Sequence, residues 1–127
     1  MTIALRKARA TDAPFLAEVL QMAGRGHLPR GPWDRLFPDD DERTRALVLL
    51  AGEAARSWCH HSVFHVADLG GEAGAALVAF ERGEVGDITL AEPLFEVLQS
   101  LAWTPEQFSR GVALVTPHRR CFPDMPP

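Results

Sequence analysis
The residues whose types could do chemistry fall in four places. Cys59-His60-His61 and His65 offer metal-ligating side chains, with His118 and Cys121 far along the chain. Zinc needs three or four nitrogen or sulfur ligands converging tetrahedrally. If Val63–Leu69 is a strand, His65 shares a face with Val63, Ala67 and Leu69, while the neighbours His60 and His61 point apart. No metal is therefore expected. Cys59 beside His60 is the nearest approach to a nucleophile and base. Sequence neighbours rarely reach hydrogen-bond geometry, so Cys59 reads as a buried thiol. Ser57, Ser62, Ser100 and Ser109 lack a nucleophile turn. Asp39-Asp40-Asp41-Glu42 reads as a helix start, where carboxylates meet the positive end of the dipole. Arg25, Arg30 and Arg35 cluster in one segment and suit an anionic small ligand.

Composition narrows the classes these residues can serve. The chain has 127 residues, 46% apolar and 24% charged, which is one globular domain's worth. Net charge is −4, with 9 basic and 8 acidic side chains in residues 1–63 against 4 and 9 in residues 64–127. Such a balance gives no electrostatic footprint for nucleic acid or anionic lipid. No run of 18 apolar residues is present, so no membrane-spanning helix is expected. Two cysteines are not a disulfide framework. Met1–Lys7 also lacks the apolar stretch of a secretory leader. A cytoplasmic protein is expected.

The elements that must position these residues follow from periodicity and capping. Ile3–Lys7 reads as a strand. Thr11 reads as the N-cap of a helix with Pro14 in its first turn. That helix is stopped by Gly24, and Phe15, Leu16, Val19, Leu20 and Met22 cover most of it, which predicts deep packing. Gly24–Pro38 reads as a loop. Asp39 sits three residues before Glu42 in capping-box spacing, which predicts a second helix ending by about Arg56. Val63–Leu69 and Ala75–Arg82 flank Gly70-Gly71-Glu72-Ala73-Gly74, the pattern of an antiparallel hairpin. Thr89 with Glu92 opens a third helix. Thr104-Pro105-Glu106-Gln107 opens a fourth, ending at Pro117.

The order is strand, two helices, antiparallel hairpin, then a two-helix segment: an α+β fold. Ile3-x-Leu5-Arg6-x-Ala8-x-x-x-Asp12-Ala13, followed by an apolar helix, resembles the start of the GNAT N-acetyltransferase fold. So does the hairpin whose second strand begins Gly74-Ala75-Ala76-Leu77-Val78, a glycine, then small residues, then aliphatic ones. The resemblance covers about residues 3–82. The chain departs from the family after that point. Two helices stand where the family runs directly into a long fourth strand. That strand, and the Gln/Arg-x-x-Gly-x-Gly/Ala turn after it that holds the pyrophosphate of acetyl-CoA, are missing. Gln21-Met22-Ala23-Gly24-Arg25-Gly26 fits the pattern, but at the end of a helix, where carbonyls point out and the dipole is negative.

The resemblance implies a single domain over residues 1–127, forming the N-terminal portion of a longer acetyltransferase. This portion would supply the acceptor-substrate side for a small-molecule or peptide amine. The implied reaction is acyl transfer from acetyl-CoA, whose usual binding motif this chain lacks, so no cofactor-binding residue is assigned and the chain alone is expected to be inactive. The catalytic base and the amide donor are expected beyond residue 127. In this family the loop between the first helices borders the acceptor pocket. That implies Trp33 as a pocket wall and Asp34 as an amine-orienting carboxylate. The plainer reading packs Trp33 on the core and uses Asp34 to cap a turn containing Leu36 and Phe37. Two alternatives stand beside the acetyltransferase: a non-catalytic interaction or ligand-binding module, and a half-size enzyme that completes its sheet as a homodimer.

Overall fold
The computed structural model describes residues 2–53, 57–79 and 91–119. Three strands, β1 (Ile3–Lys7), β2 (Phe64–Leu69) and β3 (Ala73–Val78), form an antiparallel sheet in the order β1-β2-β3. The hairpin turn is the glycine-rich one. Gly70 and Gly71 take φ of 70° and 105°, which side-chain-bearing residues rarely adopt. The Asp68 carboxylate accepts the Gly71 amide at 2.6 Å and fixes the turn from inside. β3 begins at Ala73 rather than Ala75, and a bulge at Ala67/Asp68 takes up the extra residue.

One sheet face is covered and the other is open. Phe64 and Val66 are buried on the covered face, with Ala76 and Val78 half-buried beside them. At the edge of that face the Arg6 guanidinium joins three elements. It donates to Asp12 at 2.8 and 3.0 Å and to Asp68 at 2.9 Å. The hydrogen bonds from Arg6 hold the Asp12 carboxyl down at about 2, below the usual carboxylate range. On the open face Ile3, Leu5, Leu69 and Leu77 stand exposed, Leu5 at 79%.

The helical layer on the covered face is α1 (Ala13–Arg25), a short α2 (Pro32–Leu36) and α3 (Asp40–Gly52). α1 buries Ala13, Leu16, Ala17 and Leu20, and α3 buries Arg43, Ala46, Leu47, Leu50 and Ala51. Both sets follow the i, i+3, i+4, i+7 spacing of a single helical stripe. Each fully buried leucine contributes about 1.5–3 kcal/mol through loss of apolar surface to water. Asp39 caps α3, accepting the Glu42 amide at 2.9 Å, as its spacing predicts. α4 (Ala91–Ser100) packs on α3, and α5 (Pro105–Arg119) packs on α2. The α5 start is a complete capping box. The Thr104 amide donates to Gln107 Oε1 at 2.7 Å, and the Gln107 amide to Thr104 Oγ1 at 3.2 Å.

Several local expectations are corrected. Thr11 lies inside a 3-10 turn, Ala10–Asp12, and Asp12 occupies the N-cap position of α1. Met22 is 62% exposed, so α1 buries a stripe rather than most of its circumference. The 24–38 segment is not all loop, since α2 lies within it. α5 continues through Pro117 to Arg119. The expected cap at Thr89, the strand end at 80–82, the helix end at Arg56, and Cys121 lie outside the described residues.

The helix α1 also runs past Gly24, and its cap is Gly26, with φ of 59°. Gly24 is there for a close approach instead. A Cβ at this position would stand 2.7 Å from Cδ1 of Trp33. Gly24→Ala is therefore expected to destabilise the fold by about 1–3 kcal/mol through overpacking, although alanine is the better helix former by about 1 kcal/mol. Urea unfolding checks this. An unchanged or raised midpoint would show that the indole slides aside freely.

Candidate functional site
Trp33 and Asp34 sit side by side on α2, and the structure separates their roles. Trp33 is 8% exposed and packs over Gly24 at the end of α1, within the core cluster. Asp34 is 7% exposed. It occupies the third position of α2, where its Oδ2 accepts the Gly31 amide at 2.8 Å and closes the first turn. Arg25, from the last turn of α1, meets the same carboxylate with both sides of its fork. Its Nε lies 3.0 Å from Oδ2 and its Nη2 lies 2.6 Å from Oδ1. The hydrogen bonds from Arg25 push the Asp34 carboxyl far below its ordinary range, and burial opposes this only in part. Asp34 thus remains ionised, with both oxygens committed to the protein.

Behind this pair lies Arg43 on α3, an arginine only 5% exposed. Its Nη1 donates to the Phe37 carbonyl at 3.0 Å and stands 3.6 Å from Asp34 Oδ1. Its Nη2 donates to Asp40 Oδ1. Its Nε is buried with no hydrogen-bond partner. Leaving a charged donor unsatisfied costs about 1–3 kcal/mol or more. Such a cost is uncommon in a structural ion pair and draws attention to the space around it.

That space is a pocket of about 130 Å³ at the junction of α1, α2 and the start of α3. Arg25, Arg30, Arg43, Asp34 and Asp40 line it, with Pro29 and Pro38 as rigid walls. The arginine cluster visible in the sequence was Arg25, Arg30 and Arg35. In the fold Arg43 takes the third place in the pocket lining. No local spacing links Arg43 to Arg25. Its one sequence signal is a charge at a position where the α3 pattern calls for an apolar residue.

The cysteine and histidine cluster forms no such site. Cys59 is fully buried, and burial pushes its thiol up to about 12, so it is a poor nucleophile. The His60 and His61 rings do not point apart but lie with centroids 4.1 Å from each other. His60 Nδ1 meets Ser62 Oγ at 2.8 Å, and burial holds its imidazole toward the neutral form. Among the described residues no three His, Cys, Asp or Glu side chains converge on a metal position. Among them, too, no helix is long and apolar enough to cross a membrane.

The Gln21–Gly26 pattern ends α1 rather than opening a helix, and the Gly26 amide is spent on the Met22 carbonyl at 3.0 Å. These residues do not fit a pyrophosphate cradle. No family model, curated protein or solved structure matches this chain.

Proposed function
We propose that this chain supplies the acceptor-substrate side of an acetyl-CoA-dependent N-acetyltransferase of the GNAT type. The observation that carries the reading is the order of elements: β1, the α1 to α3 helices, then the β2-β3 hairpin in one antiparallel sheet. The helices cover a single face of that sheet, which leaves the other open to be completed by the remainder of such an enzyme or by a second copy of the chain. The pocket beside Asp34 is the acceptor site in this reading. Asp34 acts there through Arg25, which it holds in place, rather than on an amine directly. Acetyl-CoA does not fit the residues described, so no step of acyl transfer is assigned to them. A non-catalytic ligand-binding module is the second reading, and the pocket with its unpartnered Arg43 Nε favours it.

The test is an assay on protein purified from its native source, with its intact mass measured beside it. Acetyl-CoA and a panel of primary amines are supplied, and release of the CoA thiol is followed. Amine-dependent thiol release supports the acetyltransferase. A protein of 14.0 kDa that releases no thiol with any amine, at any protein concentration, would overturn it and leave the binding module.

A further inference from the structure
We propose that the pocket between α1, α2 and α3 binds a small tetrahedral oxyanion, phosphate or a phosphomonoester, through Arg25, Arg30 and Arg43. This is the pocket that the acetyltransferase reading gives to the acceptor, and an oxyanion held there favours the ligand-binding module. Three arginines, two from the 25–30 segment and one from α3, line one pocket of about 130 Å³. Two carboxylates line it as well, so one positive charge is left over.

The donors left unused are the decisive feature. Asp34 takes Nε and Nη2 of Arg25, and leaves Nη1. Arg43 keeps its buried Nε. Arg30 is exposed at the rim and pairs with no carboxylate among the described residues. An oxyanion with several equivalent oxygens can accept from donors in different directions, which a planar carboxylate does less well.

The two acids do not block the site. Asp34 is already saturated, so its charge is spent on Arg25 and the Gly31 amide. The Asp40 side chain is 87% exposed, so it can leave Arg43 for water when a stronger acceptor arrives. The burial of Arg43 keeps water from competing for its guanidinium, which strengthens each charge-assisted bond made there.

Isothermal titration of the full chain with inorganic phosphate tests this, with methyl phosphate and acetate as parallel titrants. Saturable phosphate binding is expected, with a rise in the thermal unfolding midpoint. Arg30→Ala should weaken phosphate by about tenfold or more without moving the midpoint in phosphate-free buffer. Arg45→Ala, an exposed arginine of α3 outside the pocket, should bind as the parent does. Methyl phosphate bound as well as phosphate marks a phosphomonoester site, and its exclusion marks a site for the free ion. Absence of saturable binding overturns the proposal. So does equal affinity in Arg30→Ala and the parent, equal loss in Arg45→Ala, or acetate binding as tightly as phosphate.

Discussion
Phe37→Ala is expected to lower the free energy of unfolding by about 3–5 kcal/mol. Phe37 is fully buried and is the largest fully buried side chain among the described residues. It follows α2 directly, and its amide caps that helix on the Trp33 carbonyl at 2.9 Å. Its ring meets Trp103 edge-on, with centroids 5.5 Å apart. Trp103 in turn donates its indole N–H to Glu42 Oε1 at 3.1 Å and touches the Phe108 ring edge-on. One ring therefore joins α2, α3 and the α4-α5 connection. Truncation removes its transfer energy, opens a cavity, and forfeits about 0.5–1.5 kcal/mol of aromatic pairing. A domain of this size holds only about 5–15 kcal/mol in total. The thermal midpoint should fall by about 10 °C or more. Phe37→Leu should lose much less, since it fills most of the volume. Equal losses in the two variants would place the cost in the edge-on ring contact rather than in the cavity.

What could be read from the sequence was what local chemistry sets. Asp39 with Glu42 and Thr104 with Gln107 announce helix starts through short side-chain-to-backbone bonds, and both form as their spacing requires. The Gly70-Gly71 turn needs positive φ and has it. The α+β class follows from these signals. What could not be read was set by tertiary contact. Gly24 looks like a helix stop because glycine usually is one. Here it is a notch for Trp33, and nothing near it in sequence says so. α2 is only five residues long, too short for any periodic signal. The turn after α4 passes through Ala102 with φ of 58°, a left-handed conformation made by alanine, where no glycine flags it.

The candidate site divides the same way. Asp34 and Trp33 stood out as a pair, and they are indeed adjacent in the fold, but with separate neighbours. Asp34 faces Arg25 and the pocket, while Trp33 faces the core. Arg43 follows four acidic residues at the start of α3, and a charge on the apolar stripe is its only local signal. Its burial depends on Phe37, Asp34 and Asp40 arriving from three directions, which no window of sequence contains. A three-stranded sheet needs only one face under helices, and the other stands exposed at Ile3, Leu5, Leu69 and Leu77. Alternation puts Ile3 and Leu5 on one face of β1, and no helix among the described residues buries them.

Asp34→Asn is expected to destabilise the fold by about 2–4 kcal/mol at neutral pH, because it leaves Arg43 buried and Arg25 without its ionic partner. The pH dependence separates this loss from simple packing. The native carboxyl is held below its ordinary range, chiefly by the Arg25 hydrogen bonds. In the unfolded chain it returns to about 3.9. Between those values the unfolded state binds more protons than the native one, so the stability due to Asp34 rises with pH there. That contribution is complete above the unfolded value and is lost as pH falls through the folded one. Urea unfolding of the parent and Asp34→Asn from pH 7 to pH 2 should therefore give a difference that is flat above about pH 5 and shrinks below about pH 4. Asp12 and Asp68 are also held low by Arg6, and both weaken the protein in acid. They do so equally in the two proteins, so subtraction removes them. A difference that stays constant down to pH 2 would assign the loss to the capping bond from Gly31, which an asparagine oxygen should itself retain in part. It would then be the helix start of α2, and not the charge on Asp34, that holds the pocket together.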